Sequence, residues 1–113
     1  MVERISATDA KALIHGPAEC ALLDVREHGQ YGEGHPFLSV HCPYSDFEQS
    51  ILRLVPNVHV RVILMDDGDG VAELAARRAQ QMGYRAVSVM LGGAQGWSSA
   101  GLRLYKEIGR AHV

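Results

Sequence analysis

Residues 61–70 constrain the fold more than any other segment. Arg61-Val62-Ile63-Leu64-Met65 is an apolar run after its first residue, and Asp66-Asp67-Gly68-Asp69-Gly70 follows without a spacer. Such a run predicts a strand buried on both faces, with its polar loop at the C-terminal edge of a parallel sheet. Beyond the loop, Val71 to Met82 reads as a helix. Val71, Leu74, Ala75, Ala79 and Met82 form one stripe, and Glu73, Arg77, Gln80 and Gln81 fall opposite. Glu73 and Arg77 stand at i,i+4, a spacing worth roughly 0.3–0.5 kcal/mol. Gly83 is placed to end the helix.

The rest of the chain repeats this alternation. Ser6 caps a helix that runs to Ile14–Gly16, with Asp9 in its first turn. Ala21 to Val25 and Leu38 to Cys42 are short strand candidates, the second closed by Pro43. Ser45 to Leu54 reads as a helix capped by Ser45, with Glu48 at the capping-box position. Ala86 to Met90 is a further strand, and Gly92-Gly93 turns the chain into a short segment around Trp97. Strands alternating with helices predict an α/β fold: a central parallel sheet of about five strands with helices on both faces. Residues 1–105 are expected to form the domain, and 106–113 a tail, a linker or an expression remnant.

Composition removes several classes of function. The 113 residues allow one core. A net charge of −2, with no basic run longer than Arg77-Arg78, gives nucleic acid or an anionic membrane nothing to bind. No stretch has the 18 or so apolar residues that cross a bilayer, and Met1 to Ala10 lacks the apolar core of a signal peptide. Cys20 and Cys42 are too few for a disulfide framework, so a cytoplasmic location is the expectation. The histidines show no His-x-x-x-His spacing, and the acidic loop lacks the Glu that completes a calcium loop. Neither a metal nor a cofactor is expected.

Three motifs in order carry a resemblance. The first is Leu23-Asp24-Val25-Arg26-Glu27, followed by Tyr31 and Gly34-His35; the second is the strand, loop and helix ending at Gly83-Tyr84. The third is Leu91-Gly92-Gly93-Ala94-Gln95-Gly96-Trp97. Over residues 4 to 104 the chain resembles a single rhodanese (sulfurtransferase) domain, with Gln30 and Pro36 as departures from its first motif. The resemblance implies that Asp24, Arg26, Gly34, His35, Gly92, Gly93 and Trp97 are family-motif positions, with Trp97 a core plug. It also implies that the active-site loop, of the type Cys-x-x-Gly-x-Arg-Ser/Thr, begins at position 66.

That loop departs from the family's pattern. Asp66 stands where the nucleophilic Cys belongs, Val71 in place of the anion-binding Arg, and Ala72 in place of the hydroxyl residue. The degenerate loop, Asp66, Asp67, Gly68, Asp69, Gly70, Val71 and Ala72, leaves no catalytic residue. It resembles the non-catalytic repeats of tandem rhodanese proteins. The implied function is a domain of a thiosulfate sulfurtransferase-type protein, inactive itself and structural or regulatory. Its partner would be a catalytic rhodanese domain, in the same polypeptide or separate; a homo-oligomer stays open. The alternative is an autonomous sulfurtransferase, or an anion- or metal-binding enzyme, using Cys42 or the acidic loop. For Asp66 two placements stand open. Its carboxylate either accepts the loop's own N–H groups as an internal anion, or points to solvent from a relaxed loop.

Overall fold

The computed structural model describes residues 2–27, 34–36, 39–102 and 104–105. In chain order the elements are β1 (Glu3–Ile5), α1 (Ala7–Ile14), β2 (Cys20–Asp24), β3 (His35–Pro36) and β4 (Ser39–His41). A 3-10 turn (Tyr44–Asp46) leads into α2 (Phe47–Leu54), β5 (Arg61–Met65), α3 (Val71–Gln81), β6 (Val87–Met90), α4 (Gly93–Ser99) and β7 (Leu104–Tyr105). Five strands form one sheet in the order β1-β6-β5-β2-β4, every neighbouring pair parallel. β3 and β7 pair antiparallel as a separate two-stranded sheet.

The apolar runs are buried on both faces because alternate residues face opposite helix layers. Leu23, Val62, Leu64 and Val89 belong to the core that Phe47 and Ile51 of α2 and the alanines of α3 complete. Leu22, Ile63, Met65 and Met90 belong to the other core, with Ala7 and Ala10 of α1 and Ala94 and Trp97 of α4. Trp97 is buried there, as a core plug should be. Local signals explain the ends. Ser6 Oγ accepts from the Asp9 N–H at 3.0 Å and caps α1. The buried Tyr84 hydroxyl donates to the carbonyls of Ile51 (3.2 Å) and Val55 (2.5 Å), closing the C-terminal end of α2.

Two local expectations are corrected. Leu74 is not on the buried stripe of α3 but 51% exposed; Ala72, Ala75, Ala76 and Ala79 face the sheet instead. Small side chains let the helix lie close to the strands, and that face runs two residues out of phase with Leu74. Ser45 does not cap α2. The 3-10 turn intervenes, and the Ser45 hydroxyl donates to Glu27 Oε1 at 3.0 Å. Glu48 pairs with Arg78 of α3 rather than closing a capping box. The expected Glu73–Arg77 pair forms at 3.7 Å, and Glu73 also takes Arg4 at 2.7 Å. The expectations for Gln30, Tyr31, Leu38 and the tail 106–113 lie outside the described residues.

Candidate functional site: the loop at the carboxyl end of the central strand

The sheet order reverses between β2 and β5. The chain leaves β2 toward β4 on one side and β5 toward β6 on the other, which opens a crevice where parallel sheets take their ligands. The segments bordering it are Val25–Glu27 after β2 and Asp66–Gly70 after β5. A cavity of about 140 Å³ lies there, lined by Val25, Arg26, Glu27, Tyr44, Asp66, Asp69 and Val71.

Asp66 is the centre of the loop and is only 6% exposed. Its Oδ1 accepts the Gly68 N–H at 2.8 Å, and its Oδ2 accepts the Ala72 N–H in the first turn of α3 at 2.9 Å. Of the two open placements, the carboxylate takes the inward one. It receives donors that a helix N-terminus otherwise leaves unsatisfied. The other two acids face outward. Asp69 Oδ1 accepts the Val71 N–H at 3.3 Å, and the half-exposed Asp67 lies 4.0 Å from the Arg26 guanidinium.

The Gly-Gly motif is packed onto this loop. Gly93 has φ +59°, and a Cβ there would fall on the Asp66 carbonyl oxygen and lie 2.8 Å from the Gly68 nitrogen. The Ala94 N–H donates to the same Asp66 carbonyl at 3.1 Å. The turn therefore requires glycine because the loop's backbone occupies the space of a side chain.

Asp24 and Arg26 form the other wall. Both are buried; Arg26 binds both Asp24 oxygens, 2.7 to 3.1 Å, and donates to the Gly34 carbonyl at 2.5 Å. Breaking a buried pair of this kind by removing one member leaves the other charge uncompensated, at a cost of about 3–5 kcal/mol. The His41 ring donates to the Arg26 carbonyl at 2.6 Å and ties β4 to the same segment. The structure thus gathers Asp24, Arg26, Gly34, Asp66 to Ala72, Gly92 and Gly93 around one crevice, while Trp97 lies in the core below. His35 is in β3, and its side chain lies outside the described residues. The sequence reading missed Tyr44 as a wall of the cavity. The signal available was Cys42-Pro43-Tyr44, which directly follows the β4 candidate and so falls on the same rim.

Neither thiol reaches this crevice. Cys20 begins β2 at the opposite edge of the sheet. Cys42 is fully buried in the core, and burial, with a smaller push from Asp46, raises its thiol to about 12. Among the described residues no three His, Cys, Asp or Glu side chains are grouped to hold a metal, and no helix is long and apolar enough to cross a membrane.

The family profile of a rhodanese-like domain matches residues 6–100. Among solved structures, a thiosulfate sulfurtransferase from Pseudomonas aeruginosa is 34% identical with a TM-score of 0.88. It matches 95% of this chain, which spans 20% of that protein's length. The Alr3790 protein from Anabaena sp. is 22% identical, TM-score 0.83, covering 95% of this chain and 85% of its own. A 30 kDa polysulfide-sulfur transferase homodimer from Wolinella succinogenes is 22% identical, TM-score 0.79, covering 98% of this chain and 83% of its own. Those last two likenesses concern the fold alone. No curated protein matches the sequence. The strand–loop–helix crevice, the Asp24–Arg26 pair and the Gly-Gly turn, together with the matched profile, make this chain a member of the rhodanese-like domain family.

Proposed function

We propose that this chain is a non-catalytic rhodanese-like module of a thiosulfate sulfurtransferase-type protein. It works by packing against a catalytic rhodanese domain, in the same polypeptide or as a partner. The observation that carries the reading is the Asp66 carboxylate bonded to the Gly68 and Ala72 N–H groups. Sulfur transfer needs a thiolate that attacks a sulfane sulfur and holds it as a persulfide. A carboxylate forms no persulfide. The loop donors that would steady an incoming anion already hold the chain's own. Asp67 and Asp69 add repulsion: two like charges about 5 Å apart oppose each other by roughly 3 kcal/mol at an effective dielectric near 20, before screening.

The chain's span of 20% of the Pseudomonas aeruginosa protein supports a module within a longer polypeptide. The burial of Cys42 argues against an autonomous enzyme built on that thiol. A reducing, cytoplasmic setting is part of the same reading, since Cys20 and Cys42 are both free thiols. The test is the formation of thiocyanate from thiosulfate and cyanide by the purified chain. The expected rate equals the buffer blank. Turnover that Cys42→Ser abolishes overturns the reading.

A further inference from the structure

Parallel strands place everything that follows their C-terminal ends on one rim. Here that rim carries Glu27 after β2, Tyr44 after β4, Asp66–Gly70 after β5 and Leu91 after β6. Among the described residues the exposed large apolar side chains are Val40, Tyr44, Leu52, Leu74 and Leu91. Three of these belong to the rim or border it. Tyr44 shares the 140 Å³ cavity with Asp66 and Asp69. Leu91 shares a second cavity, of about 180 Å³, with Asp66, Gly68, Gly70 and Glu73. Leu74 stands one turn into α3, its N–H donating to the Gly70 carbonyl at 3.4 Å. Tyr44 and Leu91 thus flank the loop from two sides.

Among the described residues the charge of this face is net negative. The carboxylates of Glu27, Asp66, Asp67, Asp69 and Glu73 line or border the two cavities. Of the two arginines that line them, Arg26 is held by Asp24, while Arg4, with Arg77, offsets Glu73; the surplus negative charge therefore rests with Glu27, Asp66, Asp67 and Asp69. A second copy of the chain would bring acid onto acid here, so the face disfavours self-association. It complements a surface that presents an arginine or lysine among apolar side chains. A guanidinium or ammonium would suit the smaller cavity, which Glu27, Asp66 and Asp69 line together with Tyr44.

Resting on the module reading above, we infer that this acidic, apolar-flanked rim is the docking surface for another domain of the same polypeptide, which offers it a basic side chain set among apolar ones. The 34% identical Pseudomonas aeruginosa structure, with four-fifths of its length outside the region this chain matches, supplies a precedent for such neighbouring chain. The burial of Tyr44, Leu74 and Leu91 under the partner contributes the attraction that lasts at high salt, and the carboxylates give the orientation.

Hydrogen exchange of the 113-residue chain, compared with that of the natural full-length polypeptide, tests the surface. Peptides covering 42–46, 66–74 and 91–93 are expected to exchange at least about five-fold more slowly in the full polypeptide. Leu74→Lys with Leu91→Lys, and separately Asp67→Lys with Asp69→Lys, should each abolish that difference while leaving exchange in β5 unchanged. All four positions are at the surface, and the unchanged β5 signal verifies folding in each variant. Protection that appears instead around Val40 or Leu52 overturns the rim as the docking surface and leaves the module reading standing. Equal exchange everywhere, or a natural reading frame with no second domain, overturns the docking surface and leaves the module reading only in its separate-partner form, which the thiocyanate assay still tests.

Discussion

The Asp66 carboxylate accepts the Ala72 N–H at 2.9 Å across the start of α3, while its other oxygen accepts Gly68 at 2.8 Å. One side chain therefore closes the loop on itself and satisfies two backbone donors in a site from which water is largely excluded. Hydrogen bonds to a charged acceptor contribute more than neutral ones, because the full negative charge attracts the N–H dipole more strongly.

Asp66→Asn removes the charge and one acceptor, and its amide group must face one of the two N–H donors. The variant is expected to lose about 1.5–3 kcal/mol of stability at neutral pH, read as a lower denaturant midpoint with an unchanged slope. A midpoint equal to that of the parent protein would mean the carboxylate is not the loop's internal anion.

Glu3 supplies a pH-dependent contribution at the other end of the sheet. Ser88 and Arg61 hydrogen-bond its carboxylate, at 2.6 and 3.0 Å, and hold its pKa below the ordinary carboxylate value. A folded-state pKa lowered in this way stabilises the protein above the unfolded value of 4.5, and the contribution is lost as pH falls through the folded one. The side chain is more than half exposed, so solvent screening keeps the effect within about 1 kcal/mol. Glu3→Gln should lower stability slightly at pH 7 and have no effect once the group is protonated in both states. Denaturant melts of the two proteins across that range measure it, and a gap that persists undiminished in acid contradicts it.

The parallel sheet was legible because its strands are unbroken apolar runs, and only a strand covered on both faces has a use for Ile63 and Leu64 side by side. The crevice was legible because Asp66 follows Met65 directly. β1 was not, since Glu3-Arg4-Ile5 pairs along a single neighbour and its first two side chains remain outside the core. β3 and β7 were not, because two-residue strands have no period to read. The phase of α3 was misread for a physical reason: a helix close to a sheet buries alanines and leaves its largest apolar residue, Leu74, outside. Whether Asp66 would turn inward could not be read at all, because the direction of a carboxylate depends on where the Gly68 and Ala72 N–H groups point.

Cys42 and Cys20 should separate under alkylation. The Cys42 thiol is wholly buried and raised to about 12 by that burial, so at pH 8 it offers almost no thiolate and no path to the reagent. Cys20 is partly exposed, and burial raises its pKa as well. With iodoacetamide at pH 8, mass spectrometry of native protein should find label on Cys20 alone, appearing slowly; unfolding in guanidinium should release both. Rapid native labelling of Cys42 would contradict its place in the core and reopen it as a reactive group.

Restoring the thiol alone should not restore the chemistry. In Asp66→Cys the Gly68 and Ala72 N–H groups would again be free to steady a thiolate at the start of α3, which favours the ionised form. The anion that must deliver the sulfur still meets Asp67 and Asp69 and finds Val71 where the resemblance expects an arginine. Arg26 does not replace it, because Asp24 already holds its guanidinium. Single-turnover incubation with thiosulfate, read by mass spectrometry as a gain of one sulfur atom, should therefore show little or no persulfide on Asp66→Cys. A second variant, carrying a whole Cys-x-x-Gly-x-Arg-Ser loop at positions 66–72, should show it clearly, since the arginine and hydroxyl return and both outward acids are gone. Full persulfide formation by the single variant would mean the two remaining acids and the missing arginine obstruct the donor far less than their charges require. The same mass measurement on the parent chain, expected to show no added sulfur, separates transfer at position 66 from any reaction at Cys20.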